Sequence, residues 1–174
     1  SYPAELDIPL PFSLVSNDVN AGELVLMPGY WFRYNMYALA RNAAKASARD
    51  KRIEKHQFLE FDWLAPDTVD QMREARLILE SWSEGVPDDS ETLYAGATRR
   101  IENSSRPVKI VHAGRAWRDY GRMIRLYAVR TLIEGHEGSA ESWLADAPSP
   151  RTAPEVWQNL GGQLIPESRI QSLK

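Results

Sequence analysis

Arg115, Arg118, Arg122 and Arg125 recur at a three-four-three spacing. On a helix that spacing stacks four guanidiniums along one side. Such a ladder can grip the phosphates of a nucleotide, a sugar phosphate or a nucleic acid. The more economical use of the same pattern is salt bridging, and Asp67, Asp70 and Glu74 offer carboxylates at the complementary spacing. A second constellation is the stripe of Trp31, Asn35 and Asn42, flanked by Arg33 and Arg41. As a ligand wall, the indole would face a sugar ring and the amides its hydroxyls. As a packed core, the same amides would cap loop backbones, because buried polar groups must be hydrogen-bonded. Glu60 and Asp62 share one side of a strand-like stretch. Paired carboxylates do acid–base work only if burial splits their pKa values, and a solvated strand face is the simpler account.

Other chemistries find no residues. His56, His112 and His136 fall in no metal-ligand spacing, and the chain has no cysteine, which removes thiolate metal sites, disulfides and cysteine nucleophiles. There is no Gly-x-Ser-x-Gly elbow, no phosphate loop and no dinucleotide fingerprint. No catalytic residue, metal or cofactor is therefore assigned, and whether the intact protein is an enzyme stays open.

These residues have to be positioned by a chain of 174 residues, 43% hydrophobic and 26% charged, enough for one domain with a real core. The net charge of −3 is segmented. Residues 1–32 and 56–98 are acidic, residues 33–55 and 99–130 are basic, and blocks of opposite sign most simply neutralise one another across packed elements. The acidic total and the lack of any stacking module argue against nucleic acid. No apolar run approaches the roughly 20 residues of a membrane helix, and no signal-peptide layout opens the chain. The expectation is a cytoplasmic protein with no membrane partner.

Pro3, Pro9 and Pro11 make residues 1–15 an extended arm, the end of a preceding domain in a longer protein. Residues 16–174 are expected to form a single helical domain. Residues 16–22 have turn composition, and Glu23–Met27 alternates like a short strand. Pro28-Gly29 opens a helix from Tyr30 to Ala48, apolar nearly all round in its first half, which predicts a central, buried helix. Residues 57–64 have a strand period. Pro66 starts a helix with Val69, Met72, Ala75, Leu79 and Trp82 on its apolar stripe, and Gly85 ends it. Val108–Val111 reads as a short strand, and Ala113–Glu134 as a long helix whose core stripe is Trp117, Tyr120, Ile124, Tyr127 and Thr131. Ser139 caps a short helix. Residues 147–154 are a Pro-rich linker, and short helices start at Pro154 and Pro166. The predicted class is mainly α: an irregular helical domain with an extended N-terminal arm and one or two short β segments.

Several longer strings carry a resemblance: Met27-Pro28-Gly29-Tyr30-Trp31-Phe32, the run from Tyr34 to Asn42, Arg49-Asp50-Lys51-Arg52, Leu64-Ala65-Pro66-Asp67, and the run from Asn159 to Pro166. As a set they resemble the C-terminal helical region of a large uncharacterised bacterial family of Bacteroides type. In that family a left-handed β-helix, like that of hexapeptide-repeat transferases, comes first. The resemblance implies a non-catalytic accessory domain that caps the β-helix or serves oligomerisation. Its partner would be the remainder of its own chain, with a homotrimer of the intact protein expected by analogy. It supplies no catalytic residues, and this chain holds no hexapeptide coil. Two alternatives stand beside it. In one, the domain completes a transferase active site for a sugar phosphate or nucleotide sugar, with Arg115, Arg118, Arg122 and Arg125 on phosphate and Trp31, Asn35, Arg41 and Asn42 walling the ligand. In the other, it is a protein-interaction module.

Overall fold

The computed structural model describes residues 8–53, 60–95, 107–135, 157–160 and 163–167. The chain divides into two compact units, Ser1–Tyr127 and Ala128–Lys174. In chain order the elements are β1 (Leu14–Asp18), β2 (Glu23–Met27), α1 (Tyr30–Tyr34), α2 (Met36–Arg49), α3 (Pro66–Trp82), β3 (Leu93–Ala95), β4 (Val108–Ile110), α4 (Ala113–Gly135), β5 (Trp157–Leu160) and β6 (Gln163–Pro166). The architecture is mixed α/β with helix predominant. The correction to the predicted class is the sheet content, a four-stranded sheet and a separate hairpin in place of one or two short segments.

The first unit is built on a sheet of order β1-β2-β4-β3. A hairpin joins β1 to β2, and the Asp18 carboxylate accepts the Asn20 and Ala21 N–H groups at 3.1 and 3.0 Å, fixing the turn. β2 then runs parallel to β4, with Leu24 opposite Val108 and Leu26 opposite Ile110. β3 closes the other edge, antiparallel to β4, with Leu93 opposite Ile110. Side chains two apart on a strand share a face, so Leu24, Leu26, Val108, Ile110 and Leu93 form one apolar layer, all of it buried. The same core takes in Val69, Met72, Ala75 and Leu79 of α3, Ala113, Ala116 and Tyr120 of α4, and Leu10 of the N-terminal segment.

Of the stripe predicted for α3, Val69, Met72, Ala75 and Leu79 are buried and Trp82 is half-buried against the core, and the start at Pro66 also stands. The Thr68 hydroxyl accepts the Ala65 N–H at 3.0 Å and has the Trp63 carbonyl 3.1 Å away to donate to, which ties the preceding turn to the first helical turn. Three expectations are corrected. The helix expected over residues 30–48 is broken at Asn35, whose backbone (φ −154°, ψ 39°) leaves the helical region while its N–H closes α1 onto the Trp31 carbonyl. Of this stretch only Phe32 and Ala38 are buried, and Tyr37 is 76% exposed. The aromatic segment is thus a corner and a surface helix, not a central, buried helix. Packing favours Phe32 alone, because its ring sits among Phe12, Trp63 and Tyr120 at centroid distances of 4.5, 5.8 and 6.2 Å.

Second, the expected strand at 57–64 is irregular over its described part, residues 60–64. Glu60 accepts the Asp62 N–H at 2.8 Å and Asp62 accepts the Leu64 N–H at 3.0 Å, so local side-chain bonds replace a ladder. Third, the short helix expected from Pro154 gives way to strand β5 of the hairpin β5–β6 in the second unit, with Leu160 opposite Gln163. Of the helical segment expected from Pro166, Pro166 itself ends β6, Glu167 is helical, and the rest lies outside the described residues. The strands are separated in sequence by Gly161-Gly162, a pairing that favours two-residue hairpin loops. The helix expected at Ser139 and the linker at 147–154 lie outside the described residues.

Candidate functional site

Two strand-to-helix corners lie side by side because β2 and β4 are parallel neighbours. At the first, Met27-Pro28-Gly29 leads from β2 into α1, and Gly29 is left-handed (φ 64°, ψ 13°). A Cβ there would sit 3.7 Å from the Ala116 Cα, so the corner rests closely on α4. At the second, the Val111 N–H donates to the Leu26 carbonyl at 2.9 Å, extending the parallel pairing by one bond. His112 then turns the chain with φ 59°, a conformation that costs a non-glycine residue energy, and α4 begins at Ala113. The first two α4 amides are committed, Ala113 N–H to the Glu91 carbonyl at 3.2 Å and Gly114 N–H to the Asp88 carbonyl at 3.1 Å.

Between the corners is a shallow surface cleft, open to solvent, whose enclosed volume is only about 10 Å³, so a ligand would rest on its walls and not be engulfed. Its walls are Met27, Pro28, Gly29, Tyr30, Arg33 and Tyr34 from one corner and His112, Arg115 and Asp119 from the other. Asp119 is buried and each of its oxygens takes a guanidinium: Arg33 Nη2 at 2.8 Å on Oδ2 and Arg122 Nη1 at 2.9 Å on Oδ1. Among the described residues Arg115 forms no ion pair. The His112 Nδ1 is sealed from solvent without a hydrogen-bond partner. At the rim the Tyr30 and Tyr34 rings lie 4.8 Å apart, inclined by 30°. This arrangement offers positive donors and aromatic faces but no nucleophile with a base beside it. Among the described residues no three His, Asp or Glu side chains are grouped as metal ligands.

The arginine ladder does not act as one surface. Arg115 lines the cleft, Arg118 pairs with Asp89, and Arg122 pairs with Asp119 of its own helix. Arg125 is exposed, outside the cleft lining. The bridge to Asp89 does reach the acidic stretch, although Asp70 is taken by Arg73 at 3.4 Å on α3 itself. The proposed wall is dispersed as well. Trp31 stacks edge-on against Tyr30 at 5.8 Å, Asn35 breaks the helix, Arg41 lies 5.9 Å from the Tyr37 ring centre, and Asn42 is exposed. The break at Asn35 changes the phase, so the seven-residue stripe does not exist. Glu60 and Asp62 are occupied by turn bonds. His56 and His136 lie outside the described residues. Sequence reasoning weighed His112 only as a metal ligand, and placed Arg33 beside the Trp31 stripe and not with Arg115 and Asp119. The available signal was the pair of strand–helix junctions at Met27-Pro28-Gly29 and Val111-His112-Ala113.

Comparison with known proteins gives one informative relative. An uncharacterized protein of Treponema pallidum (strain Nichols) is 34% identical over 192 residues, covering 99% of this chain and 26% of that protein. The chain thus spans about a quarter of the relative's length. No family model matches, and no solved structure matches. Among the described residues no helix is long and apolar enough to cross a membrane.

Proposed function

We propose that this chain is a non-catalytic accessory domain of a longer protein. A β-helix precedes it there, and the domain's task is to cap that helix or to hold subunits together. The observation that carries the reading is the aromatic surface of α1 and α2: Tyr34 is 55%, Met36 36% and Tyr37 76% exposed. Large apolar side chains exposed close together on a surface mark sites of interaction. The relative's fourfold greater length supports the idea of a domain working inside a larger protein. The cytoplasm remains the proposed compartment.

Light scattering on the chain at increasing concentration, alone and mixed with the remaining part of the Treponema relative, tests this. Self-association or complex formation is expected, and Y34E with Y37E together should abolish it while leaving the melting temperature unchanged. A wild-type chain that stays monomeric and binds nothing in the mixture would overturn the proposal.

A further inference from the structure

We propose that the cleft between the two strand–helix corners binds a phosphomonoester, with its phosphate on Arg115, His112 and Arg33 and its organic part against Tyr30 and Tyr34. This goes beyond the accessory role; the two readings share Tyr34, but the phosphate contacts of Arg115, His112 and Arg33 do not rest on it. The position is the first argument. The cleft lies at the carboxyl ends of the parallel pair β2 and β4, where both chains turn into helices, and α/β folds bind ligands outside the carboxyl ends of parallel strands. The 23-residue α4 points its positive end at the same place. Because its first two amides already serve the Glu91 and Asp88 carbonyls, side chains must make the contacts.

Charge is the second argument. Asp119 is answered by two guanidiniums, Arg33 and Arg122, which leaves the lining with a positive excess and, among the described residues, Arg115 without an ion pair. Arg33 is held toward the cleft by its 2.8 Å bond to Asp119 and keeps its remaining N–H groups for a ligand. His112 adds a third donor. Its Nδ1 is sealed without a partner, and orphaned buried N–H groups are rarer than orphaned acceptors, so the N–H of a neutral imidazole is assigned to Nε2. The left-handed backbone of His112 is a local expense of the kind kept at ligand sites. Three donors from three side chains suit the terminal oxygens of a phosphate better than the two of a carboxylate. The tyrosine rings at the rim, one of them more than half exposed, offer a face to a sugar or aromatic ring.

Calorimetric titration with inorganic phosphate and with phenyl phosphate, each against glucose as a neutral control, tests the proposal. Both phosphates should bind and glucose should not. R115A should weaken both by about tenfold or more, the loss of one charge-assisted contact. H112N keeps a residue that tolerates the left-handed backbone and should weaken both by a smaller factor. Y34A should weaken phenyl phosphate alone. R125A, on the same helix outside the cleft, should bind like wild type. If R115A melts early, R115K serves, since it keeps the charge but loses the fork, and it should show an intermediate loss. Equal losses in R115A and R125A would mean diffuse attraction to a basic helix and would overturn the site. So would the absence of any heat with either phosphate up to about 10 mM.

Discussion

The Tyr120 hydroxyl donates to the Pro11 carbonyl oxygen at 2.7 Å, joining α4 to a segment 109 positions earlier in the chain. The ring is fully buried, so the bond is made where water cannot replace it. Tyr120→Phe keeps the ring packing and leaves the Pro11 carbonyl without this donor. Urea denaturation should show a loss of about 1–2 kcal/mol with an unchanged m-value.

The same burial makes the fold sensitive to alkali. Desolvation pushes the Tyr120 phenol well above its ordinary value of 10.0, the Gly29 N–H offsetting this in part and the Asp119 charge adding to it. The folded state therefore holds a proton that the unfolded state releases once pH passes about 10. Below that pH the contribution is fully present, and it is lost as pH rises toward the folded-state value. The wild type should lose stability above pH 10 more steeply than Tyr120→Phe, and denaturant titrations across that range will measure the difference.

Gly114 and Gly121 sit on one helix and should answer oppositely to alanine. A Cβ at Gly114 would overlap the backbone of Pro87 and Asp88, which cannot swing aside. Gly114→Ala should cost about 3 kcal/mol by overpacking. At Gly121 the nearest atom is Arg76 Nη1 at 3.4 Å, the end of a flexible side chain. Gly121→Ala should gain up to about 1 kcal/mol from helix propensity. Melting temperatures of the two variants will separate them.

Asp119 holds Arg33 of α1 to α4 across 86 positions. Its side chain is 11% exposed, while those of Arg33 and Arg122 are 40% and 59% exposed, so solvent screens much of each pair. Asp119→Ala should cost about 1–2 kcal/mol, well below the loss for a wholly buried pair. Arg122→Ala should cost under about 0.5 kcal/mol, being a surface i,i+3 contact. A thermal denaturation series with both variants checks the order.

What the residues revealed in advance depended on how local the cause was. Pro66 with the Val69, Met72, Ala75 and Leu79 stripe forecasts α3, and the spacing of Trp117 and Tyr120 forecasts α4, because one helix face meets one core. Glu23–Met27 and Val108–Val111 alternate as their strands require. The break at Asn35 left no such mark, since the apolar run around it looks helical throughout and only the tertiary fit of Phe32 among Phe12, Trp63 and Tyr120 decides where the chain turns. Trp157–Pro166 is short enough for helix and hairpin patterns to overlap. The cleft was illegible for a further reason. Arg33 and Arg115 meet only because β2 and β4 are parallel neighbours, a pairing across some eighty residues that periodicity does not encode. The arginine spacing was visible, but which carboxylate each would find was not.

Arg76, Trp117 and Glu80 provide the last test, of whether a part-buried cation on α3 stabilises its surroundings or merely survives there. The Arg76 guanidinium carbon lies 4.0 Å from the Trp117 ring centre, and Trp117 Nε1 donates to Glu80 at 2.6 Å. Arg76 Nε is nevertheless buried without a partner. The cation–π attraction, about 1–2 kcal/mol when desolvated, is thus set against the similar cost of an unmet donor. Arg76→Met keeps the apolar stem on the indole and removes both terms, so it should change stability by less than about 0.5 kcal/mol. Glu80→Ala instead strands the indole N–H and should cost about 1–2 kcal/mol. Paired urea titrations would read the difference. A large loss in Arg76→Met would mean that the stacked guanidinium outweighs its unmet Nε.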